Sequence, residues 1–237
     1  MPDRLIAALL DLIFPPHCVG CSQAGAWLCP SCLAQIDWIA PPLCPRCGEP
    51  LEAGARCPRW RGHPEQLDGL RSAAWHTGAL RTAIHQFKYR GLRALAEPLG
   101  AILAEAWRRQ PPPVDLLLPV PLHARRQRER GFNQSLLLSQ QLSHATGLPF
   151  DARSLTRIRY TPPQVGLGAA LRLANVRGAF AYRGPALQGR SVCLIDDIFT
   201  TGATLEACAE TLRNAGARAV WAFTLARPKA PEVSSNR

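Results

Sequence analysis

The sequence contains no long hydrophobic run. Charged residues and prolines break up its apolar residues, and no stretch is long enough to cross a bilayer as a helix. Residues 1–14 place Leu5, Leu9, Leu12 and Ile13 on one side of a helix, but charges interrupt them and no small-residue cleavage pattern follows. We therefore expect a short amphipathic helix there and not a secretion signal. The resulting prediction is a cytoplasmic protein without a membrane span.

Acidic residues are few in comparison with basic ones. The 237 residues include 28 lysines and arginines but only 17 aspartates and glutamates, which leaves a net charge of +11. Most of the excess is arginine, whose planar guanidinium forms paired hydrogen bonds with phosphate. The charge balance therefore favours polyanionic partners, such as nucleic acids or phosphorylated metabolites.

Cysteine is nearly confined to the N-terminal quarter of the chain. Seven of the nine cysteines lie between Cys18 and Cys57, and six of these form three pairs with two residues between the members. Thiols stay reduced in the cytoplasm, so such pairs indicate metal binding, and two pairs place four thiolates around one zinc ion. We expect the pairs Cys18–Cys21 and Cys29–Cys32 to share a zinc ion. Pairing with Cys44 and Cys47 instead is the alternative.

The composition changes near residue 64, where apolar residues begin to follow strand and helix periods. The sequence therefore predicts a cysteine-rich head at residues 1–63, an α/β domain at 64–228 and a disordered tail at 229–237. Strands are predicted at 70–75, 115–120, 191–195 and 219–225, and helices at 78–89, 95–108, 134–145 and 204–214. Strands that alternate with helices favour a mainly parallel sheet with helices on both faces. A long irregular stretch is predicted at 154–189.

An acidic pair and a glycine-containing loop follow the strand at 191–195. Asp196 and Asp197 come at its carboxyl end, which is the usual ligand edge of a parallel sheet. The loop Thr200-Thr201-Gly202-Ala203-Thr204 then leads into a helix, where backbone N–H groups and threonine hydroxyls attract a phosphate. The carboxylates are placed to reach ribose hydroxyls or a bound magnesium ion. A plain helix cap with exposed aspartates is the alternative, and the order of strand, acidic pair and loop argues against it.

A second basic segment follows the strand at 115–120. Pro121, Leu122 and His123 begin a loop, and Arg125, Arg126, Arg128 and Arg130 then fall within six residues. The cluster predicts an anion-binding segment, with nucleic acid as one candidate partner. A solvated charged loop is the alternative for any single arginine.

The segment from Ile195 to Thr204 resembles the phosphoribosyl-diphosphate motif of type I phosphoribosyltransferases. It does not match a Walker loop, because the glycine-lysine pair is missing. The resemblance implies that Asp196 and Asp197 hold the ribose hydroxyls and are the catalytic carboxylates, with magnesium on the diphosphate. It further implies that Thr200, Thr201, Gly202, Ala203 and Thr204 hold the 5′-phosphate. The loop at Pro121, Leu122 and His123 would bind the diphosphate.

The whole pattern is similar to the ComF family, competence protein F and its relatives. The matching pieces beyond the loop are 119–123, 130–134 and 161–164, with Arg172 and Asn175. The family implies a phosphoribosyltransferase-like fold, a mobile hood over the site at about 157–180, and a role in handling DNA during natural competence. Its second zinc ribbon requires a fourth cysteine pair, but this sequence has Cys57 followed by tryptophan at the place of the last cysteine. A second zinc ion at Cys44, Cys47 and Cys57 then needs His63, or the site has been lost, and loss is favoured.

Two functional hypotheses from different classes follow. The first is a phosphoribosyltransferase with an unknown acceptor, which binds phosphoribosyl diphosphate with magnesium, although no clear general base is visible. The second is a non-catalytic competence factor that binds single-stranded DNA through the arginine cluster and interacts with other competence proteins. A metabolite-sensing regulator on the same fold is a further alternative.

Overall fold

The computed structural model describes residues 15–52, 55–57, 65–161 and 175–229. The amphipathic helix predicted at 1–14, His63, residues 162–164, Arg172 and most of the predicted tail lie outside the described residues. The domain boundary predicted near residue 64 stays a prediction. Within the described ranges, no helix is both long enough and apolar enough to span a membrane.

A four-stranded parallel sheet forms the centre of the protein. Its strand order is β1 (Gly69–Trp75), β6 (Ala219–Arg227), β5 (Ser191–Ile198) and β2 (Leu116–Pro119). β5 and β2 are paired in parallel, with Leu118 opposite Leu194. The apolar runs predicted as strands are buried, as expected for strands covered on both faces. The predicted fold class, a mainly parallel sheet flanked by helices, is confirmed.

Helices cover both faces of this sheet. α2 (Gly78–Tyr89), α3 (Ala96–Arg109) and α5 (Gln134–Thr146) share one apolar layer, and α6 (Ala203–Asn214) belongs to the other. α1 (Pro30–Ala34) lies in the cysteine-rich head. α2 has the predicted bounds, and α5 ends as predicted at Gly147, which adopts the left-handed conformation with φ 74°.

Two segments predicted as irregular are regular. The arginine cluster forms a short helix, α4 (Ala124–Arg130), and not the expected loop. His123 caps its start by accepting from the Arg125 N–H, Gly131 ends it at φ 79°, and Arg125 pairs with Glu129 one turn later. The long stretch at 154–189 contains a small antiparallel sheet of β3 (Leu155–Arg157) and β4 (Phe180–Tyr182).

The head covers the outer edge of the sheet, which is β1. Backbone hydrogen bonds run from Ile39 N–H to Ala73 O and from Trp75 N–H to Asp37 O. At the other end of the strand, Leu70 N–H donates to Arg46 O. An uncovered edge strand would expose these groups to pairing with other chains, so the head protects the edge as well as carrying its cysteines.

A buried ion pair joins the head to the last strand. Arg227, at the end of β6, is 1% exposed, and its Nη2 lies 2.7 Å from Glu49 Oε2. Its Nη1 donates to the carbonyl oxygen of Cys47 at 2.8 Å. Its guanidinium also lies over the ring of Phe199, 5.0 Å from the centroid. One side chain thus contacts the head and the residue that precedes the threonine-glycine loop.

Residues 65–68 are tied to α6 before β1 begins. Glu206 Oε2 accepts hydrogen bonds from the backbone N–H groups of Glu65 and Gln66, each at 3.1 Å. Arg213, further along α6, forms an ion pair with Asp68. Asp68 also accepts from the Val220 N–H at 2.7 Å.

Candidate functional site

The two aspartates lie at the carboxyl edge of the sheet, near the C-terminal end of β5. Asp196 Oδ1 accepts hydrogen bonds from Ser135 Oγ and from the Asp197 N–H, both at 2.9 Å. Asp197 is buried, and its Oδ1 lies 2.8 Å from the Nζ of Lys88 at the end of α2. The pair is therefore held by α5 on one side and α2 on the other.

The two carboxyl groups differ in their environments. Burial, and then the negative charge of Asp197, raise the pKa of Asp196 to about 7, against the opposing effects of Lys88 and the hydrogen bonds. Asp197 has the ammonium of Lys88 as its direct partner. Lys88 therefore pairs with Asp197, and the raised pKa of Asp196 makes that group easier to protonate than an ordinary aspartate.

The threonine-glycine loop turns sharply into α6. Gly202 adopts φ +81°, and a Cβ there would lie 2.7 Å from Cε2 of Phe199. Only glycine meets both requirements without strain. Residues 198–205, with Asp196, line a small cavity of about 40 Å³ at the start of the helix. Thr201, Gly202 and Ala203 lie there, and the exposed N–H groups of a helix start favour an anion in such a place.

A larger cavity, of about 220 Å³, contains the acidic pair and a group of cations. Of the residues predicted for the site, it is lined by Pro121, Leu122, Arg126, Arg130, Asp196, Asp197, Thr200 and Thr204. His123 caps α4 and is not part of its lining, and Arg125 pairs with Glu129 on the outer side of α4. Arg128 is exposed on the same short helix.

Four polar lining residues were missed from sequence: Lys88, Gln134, Ser135 and Arg157. A lysine at the end of a helix is usually solvated, but Lys88 is largely buried against Asp197. Gln134 Nε2 donates to the Phe87 carbonyl at 3.2 Å and so fixes the end of α2 beside the acidic pair. Two sequence features could have indicated these lining residues. Lys88 comes just before Tyr89-Arg90-Gly91, and Gln134 lies within the segment 130–134.

Arg157 brings an unused hydrogen-bond donor to the cavity. Its Nε is buried and has no hydrogen-bond partner among the described residues. Burial, and then the nearby charge of Arg126, lower the pKa of Arg157 from its ordinary high value. A buried cation with an unsatisfied donor is costly unless an anion completes its bonding. Together with Arg126, Arg130 and Lys88, it gives the cavity more positive than negative side chains.

Aromatic rings and arginines alternate on the surface around α4. The Arg125 guanidinium lies over the ring of Tyr160, 4.9 Å from its centroid, and Arg130 lies over Tyr89 at 5.3 Å. Tyr89 is 60% exposed and Tyr160 36% exposed. We call Tyr89, Tyr160 and α4 the arginine–tyrosine surface.

The first cysteine cluster has the donor set and spacing of a zinc site. The thiol sulfurs of Cys18, Cys21, Cys29 and Cys32 all lie within 4.8 Å of one another, as predicted for the first two pairs. Burial raises the pKa of Cys18, but backbone N–H donors, first that of Cys29, outweigh it and lower the pKa to about 6. Four thiolates around one centre fit tetrahedral zinc.

The second cluster gathers three thiols. The sulfurs of Cys44, Cys47 and Cys57 lie within 4.8 Å of one another, and all three cysteines are buried. The geometry separates these cysteines from the first cluster, so the alternative pairing across the two clusters is not adopted. His63, the predicted fourth ligand, lies outside the described residues. The three thiolates can hold zinc if a fourth ligand joins them.

Known proteins share both parts of this arrangement. A family described as "Double zinc ribbon domain" matches residues 9–61. The DNA utilization protein YhgH of Salmonella typhi is 34% identical over 218 residues, covering 85% of this chain and 96% of that protein. Competence protein F of Haemophilus influenzae is 33% identical over 220 residues, covering 89% of this chain and 95% of its own. Competence protein ComFC of Bacillus subtilis is 28% identical over 211 residues, with 84% of each chain covered.

Solved structures resemble about half of the chain. The glutamine phosphoribosylpyrophosphate amidotransferase of B. subtilis, complexed with ADP and GMP, has 23% identity and a TM-score of 0.38, and the match covers 54% of this chain and 25% of that one. A purine phosphoribosyltransferase from Pyrococcus horikoshii has 19% identity and a TM-score of 0.36, with 55% and 71% covered.

The parallel sheet, the acidic pair with its loop at the carboxyl edge and the two cysteine clusters define an α/β protein with an N-terminal double zinc ribbon. The cysteine clusters of the head are suited to bind structural zinc. With 33% and 34% identity to relatives that it matches over most of their length, the chain belongs to the ComF family, which includes competence protein F.

Proposed function

We propose that the chain binds phosphoribosyl diphosphate and transfers its phosphoribosyl group to an acceptor. The observation that carries the proposal is the cavity of about 220 Å³, which unites the acidic pair, the threonines of the loop and four cations at the carboxyl edge of a parallel sheet. A ligand with ribose hydroxyls and two separate phosphate groups uses all of these features at once. A simple anion would leave Asp196 and Asp197 unexplained.

Each part of the ligand has a matching set of residues. The carboxylates of Asp196 and Asp197 accept hydrogen bonds from the ribose hydroxyls, and Thr200 to Thr204 surround the 5′-phosphate. Pro121 and Leu122 lie beside the diphosphate, where Arg126, Arg130 and Arg157 neutralise its charge. Magnesium, when bound to the diphosphate, adds further charge stabilisation to its departure. Catalysis on this arrangement is mainly electrostatic, because the cations are preorganised where negative charge develops.

Calorimetry of the zinc-loaded full chain with phosphoribosyl diphosphate and magnesium tests this proposal. Binding at a single site is the expected result, with ribose 5-phosphate and diphosphate as the ligand's separate halves for comparison. Each half should bind more weakly than the whole ligand because it uses only part of the cavity. A folded protein that bound none of the three would overturn the proposal.

Ligand binding is expected to release a proton near neutral pH. Asp196, whose pKa is raised to about 7, binds its ribose hydroxyl as the ionised carboxylate. The affinity of the protein for the ligand should therefore fall as the pH drops through about 7, and a fraction of a proton should leave per ligand bound near that pH. Calorimetry in buffers of different ionisation enthalpy measures this number. A ³¹P titration of the free ligand supplies the ligand's own contribution, and a remainder of zero would contradict the role given to Asp196.

A second function is favoured by the arginine–tyrosine surface. Exposed rings backed by guanidinium groups suit the stacking of unpaired bases, and neighbouring arginines suit the phosphates. The names of the relatives, competence protein F and DNA utilization protein YhgH, support a role in DNA uptake or use. We therefore propose that the chain also binds single-stranded DNA and works in the cytoplasm with other competence proteins.

Two kinds of variant should affect DNA binding differently. Arg125→Gln with Arg128→Gln should lower the salt dependence of oligonucleotide binding, by about 1.4 in the slope of log K against log salt concentration. Tyr160→Leu should cost about tenfold in affinity at every salt concentration and leave the slope unchanged, because stacking involves no counterions. Fluorescence anisotropy with a labelled oligothymidylate measures both. Arg153→Gln, an exposed arginine outside this surface, is the control, and an equal effect of all the variants would count against the surface.

A further inference from the structure

A second and larger cavity lies beside the proposed phosphoribosyl site. It measures about 650 Å³ and runs along one face of α2, with Ile198 of β5 as part of its wall. Lys88 and Ile198 line both cavities. The two cavities therefore adjoin at the carboxyl edge of the sheet. Lys88 contacts Asp197 of the acidic pair at this point.

Among the described residues that line this second cavity, four have basic side chains and none is acidic. Its basic residues are Arg81, Lys88, His76 and His85. The charge of Lys88 is matched by Asp197, whereas Arg81 is exposed and forms no ion pair within the described part of the chain. The cavity therefore has a positive charge available for a ligand's negative group.

Flat surfaces complete the cavity. The rings of His85 and Tyr89 lie 5.0 Å apart at the far end of α2, and Ile84 and Ile198 supply apolar wall. His76 lies at the opposite end, where β1 leads into α2. Burial, and then the charges of Lys88 and Arg81, lower the pKa of His76, which leaves it uncharged at neutral pH and able to hydrogen-bond a ring nitrogen or carbonyl.

We infer that this cavity is the acceptor subsite and that it takes a planar, ring-containing molecule that carries a carboxylate or another single negative charge. Arg81 binds the charge, and His85 and Tyr89 contact the ring. A ligand seated here lies next to the ribose, because the two cavities adjoin at Lys88 and Ile198. This inference rests on the proposed function and adds the class of acceptor to it.

The transfer step balances with the groups available. The bond between ribose C1 and the diphosphate oxygen breaks, and its electron pair leaves with the diphosphate. A bond forms between C1 and a ring nitrogen of the acceptor, and the proton displaced from that nitrogen passes to water. No oxidant or further reactant is needed.

Matched pairs of planar probes test the inference on the zinc-loaded full chain. Nicotinate and nicotinamide differ in one negative charge, as do orotate and uracil. Binding is followed by calorimetry and by the chemical shifts of amide groups in α2. We expect the carboxylates to bind at least tenfold more tightly than their neutral partners and to shift α2 signals. Arg81→Gln should remove this preference, and Arg153→Gln, an exposed arginine outside the cavity, should retain it.

The outcomes separate this inference from the proposed function. Phosphoribosyl diphosphate binding that is unchanged in Arg81→Gln, with carboxylate preference lost, supports both. Equal binding of charged and neutral probes, an unaffected preference in Arg81→Gln, or no binding of any probe by a chain that binds phosphoribosyl diphosphate overturns the acceptor subsite alone. Probe binding by a chain that does not bind phosphoribosyl diphosphate overturns the proposed function, and the assignment of this cavity as an acceptor subsite falls with it.

Discussion

Asp196→Asn combined with Asp197→Asn is expected to weaken phosphoribosyl diphosphate binding by about 100-fold or more. Each substitution keeps the shape of the side chain and removes an ionised acceptor of a ribose hydroxyl. A hydrogen bond to a charged group contributes about 1.5–3 kcal/mol, so the loss of two amounts to about 3 kcal/mol or more. Asp197→Asn also leaves Lys88 without its counter-charge at 2.8 Å. Calorimetry with magnesium measures the affinity.

The same change elsewhere in the domain provides the control. Asp151 lies in the loop before β3, where its carboxylate accepts hydrogen bonds from the backbone N–H groups of Arg153 and Ser154. Asp151→Asn should therefore alter stability slightly and leave the affinity for ligand unchanged. Circular dichroism of the double variant checks that it is folded. If the folded double variant bound the ligand as tightly as the wild type, the acidic pair would not hold the ribose.

Arg227→Met is expected to destabilise the zinc-loaded protein by about 3–5 kcal/mol, because it removes one side of the buried ion pair with Glu49. The change also removes the donor to the Cys47 carbonyl, so the second cysteine cluster loses a support of its backbone. Denaturant unfolding followed by tryptophan fluorescence measures the free energy of unfolding.

Two further variants show whether the buried charge is responsible. Arg71 also donates to backbone carbonyls next to the second cluster, those of Cys44 and Pro45, but it is only partly buried. Arg71→Met should therefore cost much less than Arg227→Met. Replacing Glu49 and Arg227 together by methionine should cost less than the sum of the single changes, since the double change removes both charges of the ion pair. Additive costs would show that the two side chains act independently.

The parts of the fold that the sequence predicted well have strong local signals. α2 was predicted with its observed bounds because Leu80, Ala83, Ile84 and Phe87 repeat at helical spacing and are all buried. The end of α5 followed from Gly147, and β2 and β5 followed from continuous apolar runs. The first cysteine cluster followed from pair spacing alone.

The features that were missed depend on contacts between distant segments. α4 has no buried residue, so its sequence has no apolar periodicity that would predict a helix. Its caps and the Arg125–Glu129 ion pair stabilise it instead. Lys88 and Asp197 are far apart in the chain, and their contact exists only because Gln134 and the sheet fix the end of α2 at that edge. Arg157 lies on a three-residue strand whose partner is β4, beyond a long intervening segment.

The hydrogen bonds between residues 65–66 and Glu206 have a mechanical consequence. Glu206 lies in the first turn of α6, directly after the loop that contains Gly202. A flexible linker would absorb a displacement arriving from the N-terminal side, but these residues are fastened to that helix by two backbone hydrogen bonds. We therefore expect a displacement of residue 65 to strain the first turn of α6, which lies next to the loop proposed to hold the phosphate.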